Sequence, residues 1–267
     1  MAITLGSTAI YSAIHRRREE NKNPVRRRKD RRIVPADCTE PKKFPKNKLG
    51  TFVAELNRRR RLMVDGNQQN GGTGEKLKKG RSVMEVEWSC DLEEKAISAL
   101  NTMECGMECP TYPPDGPSEI PNGTTGFFDC QYDGKGYEPM GSWLSEMDEN
   151  DIYQDPNPNV RVMYGGKNRN YCNLVRYDAY GIGCAEKECD KTRLTFCLTN
   201  QPPLQENDVV YYTGNGACPK GKCYSTTAGC NEESGLCLSK ESTRKPTPKK
   251  KNVICFYSLL MSSCVEL

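Results

Sequence analysis

The segment YCNLVRYDAYGIGC, residues 171–184, decides the fold class because it is rich in aromatic and β-branched residues. Two other segments have the same character, namely VRVMY at 160–164 and RLTFCLTN at 193–200. Such runs, when Gly and Asn bound them, are typical of β-strands. The sequence therefore predicts that this part of the chain forms a sheet.

Three helices are predicted before the sheet. LGTFVAELNRRRRLMVDG (49–66) has apolar residues at helical spacing, and WSCDLEEKAISALNTMEC (88–105) has acidic residues where a helix N-terminus favours them. MGSWLSEMDEN (140–150) predicts a short third helix. Residues 106–136 are rich in Gly and Pro and predict a long surface loop. Helices followed by strands indicate an α+β layered domain.

Fifteen cysteines indicate the compartment. Such density is rare in a reducing cytosol without metal, whereas secreted domains use it for disulfides. The chain's one histidine, His15, lies before the Cys-rich region. Because that region contains no histidine, mixed Cys/His zinc sites and His catalysis are excluded there. A Cys-only zinc site is the alternative, although the cysteine pairs are spaced more widely than is usual for one. We expect export, with disulfide candidates Cys38, Cys90, Cys105, Cys109, Cys184, Cys189, Cys197, Cys218, Cys223, Cys230 and Cys237.

Charge is unevenly distributed, since residues 1–61 hold 18 Lys and Arg against 6 Asp and Glu, and residues 62–239 hold 15 against 27. A nucleic-acid partner would depend on the basic arm alone, and we predict none. The basic run at 58–61 is expected to be a solvated helix face, with a patch that binds an anionic partner as the alternative. No segment approaches the roughly 18 apolar residues of a membrane-spanning helix.

The N-terminal segment MAITLGSTAIYSAI is a poor signal peptide, because it is only weakly apolar and no positive charge precedes it. A mis-set start or a partial leader is favoured over a nuclear-type basic patch. Residues 1–45 contain several prolines and little apolar periodicity, so we expect them to be a disordered basic segment.

The order of WSCDLEEKA, WLSE, YCNLVRYDAYGIGCAEKEC, LTFC and a Cys-rich end closing on GLC resembles the CAP superfamily, which groups cysteine-rich secretory proteins, antigen 5 and pathogenesis-related proteins. It is most similar to nematode venom-allergen-like or activation-associated secreted proteins. The resemblance implies an α-β-α sandwich over residues 46–203 and a small disulfide-stapled extension over 204–240. A basic linker and a short apolar tail would follow at 241–267. It also implies a bridge from Cys184 to Cys197.

The resemblance further implies a cleft in which two His and two Glu hold a divalent metal. Leu56 stands at the first His position, Asn170 stands at the second, and only Glu146 is retained. One ligand does not hold zinc, which needs three or four donors. We therefore expect a degenerate pseudo-active site without metal, cofactor or catalytic residue, in which Leu56 is core and Glu146 is solvated or locally hydrogen-bonded.

These features predict a secreted, non-catalytic protein that recognises an unknown extracellular protein or ligand, with host modulation as one such role. A lipid- or sterol-binding CAP protein is the alternative, and an atypical hydrolase is disfavoured because Ser and Cys nucleophiles need a base. The sequon Asn122-Gly123-Thr124 makes Asn122 a candidate glycosylation site. Cys130 and Cys172 are additional to the family pattern and form either an extra bridge or an odd thiol.

Overall fold

The computed structural model describes residues 38, 46–105, 109, 116–132, 138–157, 161–223, 227–240, 253–257 and 262–266. Apart from Cys38, the segment 1–45 that the sequence predicts to be disordered lies outside these ranges, as do parts of the predicted linker and tail. Within them, no helix combines the length and the apolarity that a membrane span requires.

Four helices are described: α1 Lys46–Val64, α2 Cys90–Asn101, α3 Pro139–Glu149 and α4 Arg169–Val175. The first three confirm the helices predicted from apolar periodicity. Helix α2 begins where Ser89 accepts a hydrogen bond from the Leu92 amide, with Asp91 in the first turn.

The strands are β1 Gly80–Arg81, β2 Glu87–Trp88, β3 Thr125–Tyr132, β4 Arg161–Met163, β5 Gly181–Glu188, β6 Thr192–Thr199, β7 Val209–Thr213, β8 Thr227–Asn231, β9 Leu236–Ser239, β10 Val253–Tyr257 and β11 Ser262–Glu266. The main sheet has the order β2-β5-β6-β3, and a second sheet has the order β1-β7-β4. Two hairpins, β8-β9 and β10-β11, complete the description.

Two sequence predictions of local structure are wrong. Residues 171–175 belong to α4 instead of a strand, because Tyr171, Leu174 and Val175 are fully buried at helical spacing, which overrides their β-propensity. Residues 125–132 form β3 instead of a loop and pair antiparallel with β6 along their whole length. The Pro and Gly residues that predict the loop lie mainly before this strand.

Apolar residues cover both faces of the main sheet and produce the three layers of the α-β-α sandwich. On one face α2 contributes Leu92, Ala96 and Leu100. The other face packs against a larger cluster that includes residues of α1, α3 and α4. Gly183 of β5 allows α2 to approach closely, since a Cβ there would lie 2.1 Å from the backbone nitrogen of Glu93. The expected α+β sandwich is confirmed.

Six disulfides join described residues: Cys38–Cys90, Cys105–Cys189, Cys109–Cys130, Cys184–Cys197, Cys218–Cys230 and Cys223–Cys237. Cys130 is thus bridged, and Cys172 is a buried thiol without a bridge. The last two bridges hold β8 and β9 in the Cys-rich extension. Strand β7 falls in the segment assigned by sequence to that extension, but it pairs with β1 and β4.

Candidate functional site

The three positions that the resemblance aligns with metal ligands lie on three helices. Leu56 is on α1, Glu146 on α3 and Asn170 on α4. Leu56 is fully buried in the same apolar cluster as Trp143 of α3, so it supplies packing and no polar atom. The structure brings the other two positions together.

Glu146 binds the beginning of α4. Its Oε1 accepts a hydrogen bond from the side-chain amide of Asn170 at 2.7 Å, and its Oε2 accepts from the backbone amides of Asn170 and Tyr171 at 2.8 and 3.0 Å. A carboxylate at this position satisfies amides that have no partner within the helix. Glu146 is therefore hydrogen-bonded to another helix and holds α3 and α4 together.

The oxygen of the Asn170 side chain is also engaged. Arg169 donates to this Oδ1 through Nη1 at 2.9 Å and to the Gly126 carbonyl through Nη2 at 3.2 Å. The Asn170 amide thus donates to a carboxylate on one side and accepts from a guanidinium on the other. A cation that entered here would displace these bonds and approach a positive charge.

The interior next to Asn170 is largely apolar. Cys172 is 1% exposed and Tyr171 is fully buried. Burial raises the pKa of the Cys172 thiol and of the Tyr171 hydroxyl, so both groups are protonated at neutral pH. A protonated thiol is a poor nucleophile and a poor metal ligand. The Tyr171 hydroxyl has no hydrogen-bond partner among the described residues.

The prediction that residues 58–61 form a solvated face is wrong at Arg60. Its guanidinium is fully buried and donates to the carbonyl oxygens of Leu174, Met84 and Ala179 at 2.6 to 3.0 Å. Burial lowers the pKa of Arg60 to about 9, so it remains charged at neutral pH. Arg60 lies four residues after Leu56, and this helical spacing was the sequence signal for its inward position.

The neighbouring arginines differ in exposure. Arg59 forms a bidentate ion pair with Asp148 of α3, in which both hydrogen bonds are 2.9 Å long. Only 13% of the Arg59 side chain is exposed. Arg58 is paired with Glu55 of its own helix and is 55% exposed. Arg61 donates to the carbonyl of Ser234 at 2.7 Å. The basic run therefore connects α1 to its surroundings at three positions and faces solvent mainly at Arg58.

A separate groove of about 780 Å³ lies between α2 and residues 118–122. Its lining includes Asp91, Glu94 and Glu119 together with Asn122 of the sequon. It uses none of the three cleft positions.

Three cysteine sulfurs of the extension, those of Cys218, Cys223 and Cys230, lie within 4.8 Å of one another. All three are in disulfides, whereas zinc binds the deprotonated thiolate. In this oxidised form they cannot serve as zinc ligands.

Comparison with known proteins extends this description. The model of the cysteine-rich secretory protein (CAP) family matches residues 53–200, more than half of the chain. Comparison with curated protein sequences gives no significant match.

Solved structures with a similar fold include Na-ASP-1, with 19% identity and a TM-score of 0.58 over 80% of this chain and 51% of that one. The chain thus spans about half of Na-ASP-1. NaASP2, solved with Zn²⁺, has 17% identity and a TM-score of 0.56 over 75% and 99% of the two chains. The hookworm platelet inhibitor has 19% identity and a TM-score of 0.51 over 76% and 96%.

Proposed function

The chain belongs to the cysteine-rich secretory protein (CAP) family, and on that premise we propose that it is a secreted protein that recognises an extracellular partner without catalysis and without a metal in the family cleft. The observation that carries the proposal is the hydrogen bond between Asn170 and Glu146.

The donor set of the cleft does not fit a divalent metal. Both His positions hold other residues, and the remaining carboxylate already accepts three N–H groups. An amide nitrogen offers no lone pair to a metal, and the amide oxygen of Asn170 is bound by Arg169. Zn²⁺ requires three or four N, S or O donors, and Ca²⁺ requires six to eight oxygens.

Near the cleft, the described residues also lack the groups that hydrolysis would need. The chain has one histidine, His15, which lies outside the described residues. A Ser or Cys nucleophile needs an adjacent base or a lowered pKa. Burial instead raises the pKa of the Cys172 thiol beside the cleft.

Export is supported by the six disulfides, because oxidised cysteines at this density persist mainly in secreted proteins. The fold neighbour named hookworm platelet inhibitor is a further reason to propose a binding role. A lipid- or sterol-carrying function has less support, because carboxylates of Asp91, Glu94 and Glu119 line the groove beside α2.

The proposal is tested by screening the disulfide-intact chain against a panel of extracellular receptor domains, with EDTA and with added Zn²⁺ in parallel. We expect saturable binding that is equal in both conditions and is lost after reduction of the disulfides. Binding that requires the metal would contradict the proposal, as would a lipid found in the native mass of the purified chain.

A further inference from the structure

We propose that Asn122 carries an N-linked glycan and that the first sugar of this glycan lies in the groove between α2 and residues 118–122. The inference relies on the export proposed above, because this modification takes place in the secretory route. It concerns a site separate from the family cleft.

The sequon is placed for attachment. Asn122 is exposed in a turn before β3 and forms part of the groove lining. Thr124 fixes this turn, because its backbone amide and its hydroxyl both donate to the carbonyl of Pro121. Gly123 has a φ of 76°, a value that favours glycine. The side chain of Asn122, to which the glycan would be attached, therefore lies at the groove on a well-defined turn.

The groove suits a neutral sugar in size and chemistry. Its volume of about 780 Å³ falls within the range of small-molecule sites. The Glu94 and Glu119 carboxylates can accept hydrogen bonds from sugar hydroxyls, and Ser98 can donate or accept. Ile120, one of the few large apolar residues exposed in the described ranges at 39%, offers a surface for the C–H face of the ring.

A tethered sugar needs little affinity to occupy such a groove. Attachment at the rim gives it a high effective concentration at the lining residues. Burial of Ile120 and hydrogen bonds to Glu94 and Glu119 would then order the first sugar against α2.

Attachment is tested on the full chain, expressed behind a cleavable secretion leader in insect cells. Peptide mass spectrometry is expected to find the glycan at Asn122, to find none in Asn122→Gln and to find it again in Thr124→Ser, which keeps the sequon hydroxyl. An unmodified Asn122 in the secreted chain would overturn the proposal.

Docking is tested by the rate at which an N-glycosidase releases the glycan. We expect release from the native chain to be several-fold slower than from the denatured chain, and Ser98→Trp, which fills the groove, to remove much of this protection. Asn101→Trp, on the same helix but outside the groove, is the matched control and should leave the rate unchanged. Equal release from native and denatured wild-type chain would overturn the docking without any variant.

Discussion

The side-chain amide of Asn170 donates to the Glu146 carboxylate at 2.7 Å, and this bond joins α4 to α3. At the corresponding position, the CAP resemblance implies a histidine whose ring nitrogen binds a metal. An amide nitrogen can only donate, so it turns toward the carboxylate, and the amide oxygen turns toward Arg169. Where the resemblance implies a pair of metal ligands, this chain therefore has a hydrogen-bonded contact between two helices.

Glu146→Gln should destabilise the fold by about 1–3 kcal/mol, because charge-assisted hydrogen bonds are the strong ones and a neutral amide has only one oxygen for three donors. Urea denaturation measures the change. Glu149→Gln is the matched control, since Glu149 is exposed near the end of the same helix, and it should leave the midpoint nearly unchanged. Equal midpoints for the two variants would show that the Glu146 contacts contribute nothing.

Arg60→Lys should lower the free energy of unfolding by about 2–5 kcal/mol. A lysine cannot reproduce the planar guanidinium that donates to three carbonyl oxygens, and its charge would be left poorly solvated. Arg58→Lys, at an exposed position of the same helix, should change the free energy of unfolding by no more than about 0.5 kcal/mol. Thermal or urea unfolding compares the two. A similar small effect at both positions would contradict the buried role of Arg60.

Cys172 should not react with iodoacetamide in the native chain, because burial raises its pKa and removes it from solvent. In denaturant without reductant, peptide mapping should find Cys172 alkylated, whereas the twelve cysteines of the six disulfides should react only after reduction. Cys172→Ala serves as the control for the assignment. Alkylation of Cys172 in the native state would show that its surroundings open readily.

Asp148→Asn should reduce stability at neutral pH by about 0.5–1 kcal/mol, a modest value because the Asp148 side chain is 47% exposed. The hydrogen bond from Arg59 lowers the pKa of Asp148 below its ordinary value of 3.8. The stability that the Asp148–Arg59 ion pair contributes is therefore fully present above pH 3.8 and is lost as the pH falls through the lowered pKa of Asp148.

The difference between wild type and Asp148→Asn should accordingly shrink in acid unfolding curves below pH 3.8. The matched control is Glu188→Gln, which removes a more exposed ion pair with Arg193 and should have a smaller effect at neutral pH. A difference that stayed constant from neutral to strongly acidic pH would contradict a role for the charge.

The parts of the fold that were predictable are those in which local pattern and tertiary environment agree. Helix α2 has an N-cap serine and early acidic residues, and β6 lies in a β-rich run that is buried along nearly its whole length. Helix α4 was not predictable in this way, because Tyr171 and Val175 favour strands, and their helix depends on burial and on Glu146, which accepts from the first amides of α4. Such a contact between distant residues leaves no local signal.

The site divides similarly. The lack of ligands at Leu56 and Asn170 could be read from sequence once the family pattern was aligned, and the metal-free cleft remains a prediction. The bond from Asn170 to Glu146 and the Arg169 contact depend on how α3 and α4 meet, which spacing alone does not give. The run of four arginines predicted a solvated face and so masked the separate role of Arg60, although the helical spacing of Arg60 from Leu56 placed it on the buried face.

Calorimetric titration with Zn²⁺ tests the central claim, that the cleft holds no metal and the protein acts by surface recognition. The chain should be disulfide-intact, with accessible thiols alkylated, and should carry His15→Asn so that no imidazole outside the cleft contributes. A second protein carrying Leu56→His and Asn170→His in addition shows whether restored imidazoles suffice. We predict no binding heat from the first protein at any Zn²⁺ concentration up to about 1 mM. Binding by that protein with a Kd of about 1 μM or tighter would contradict the account.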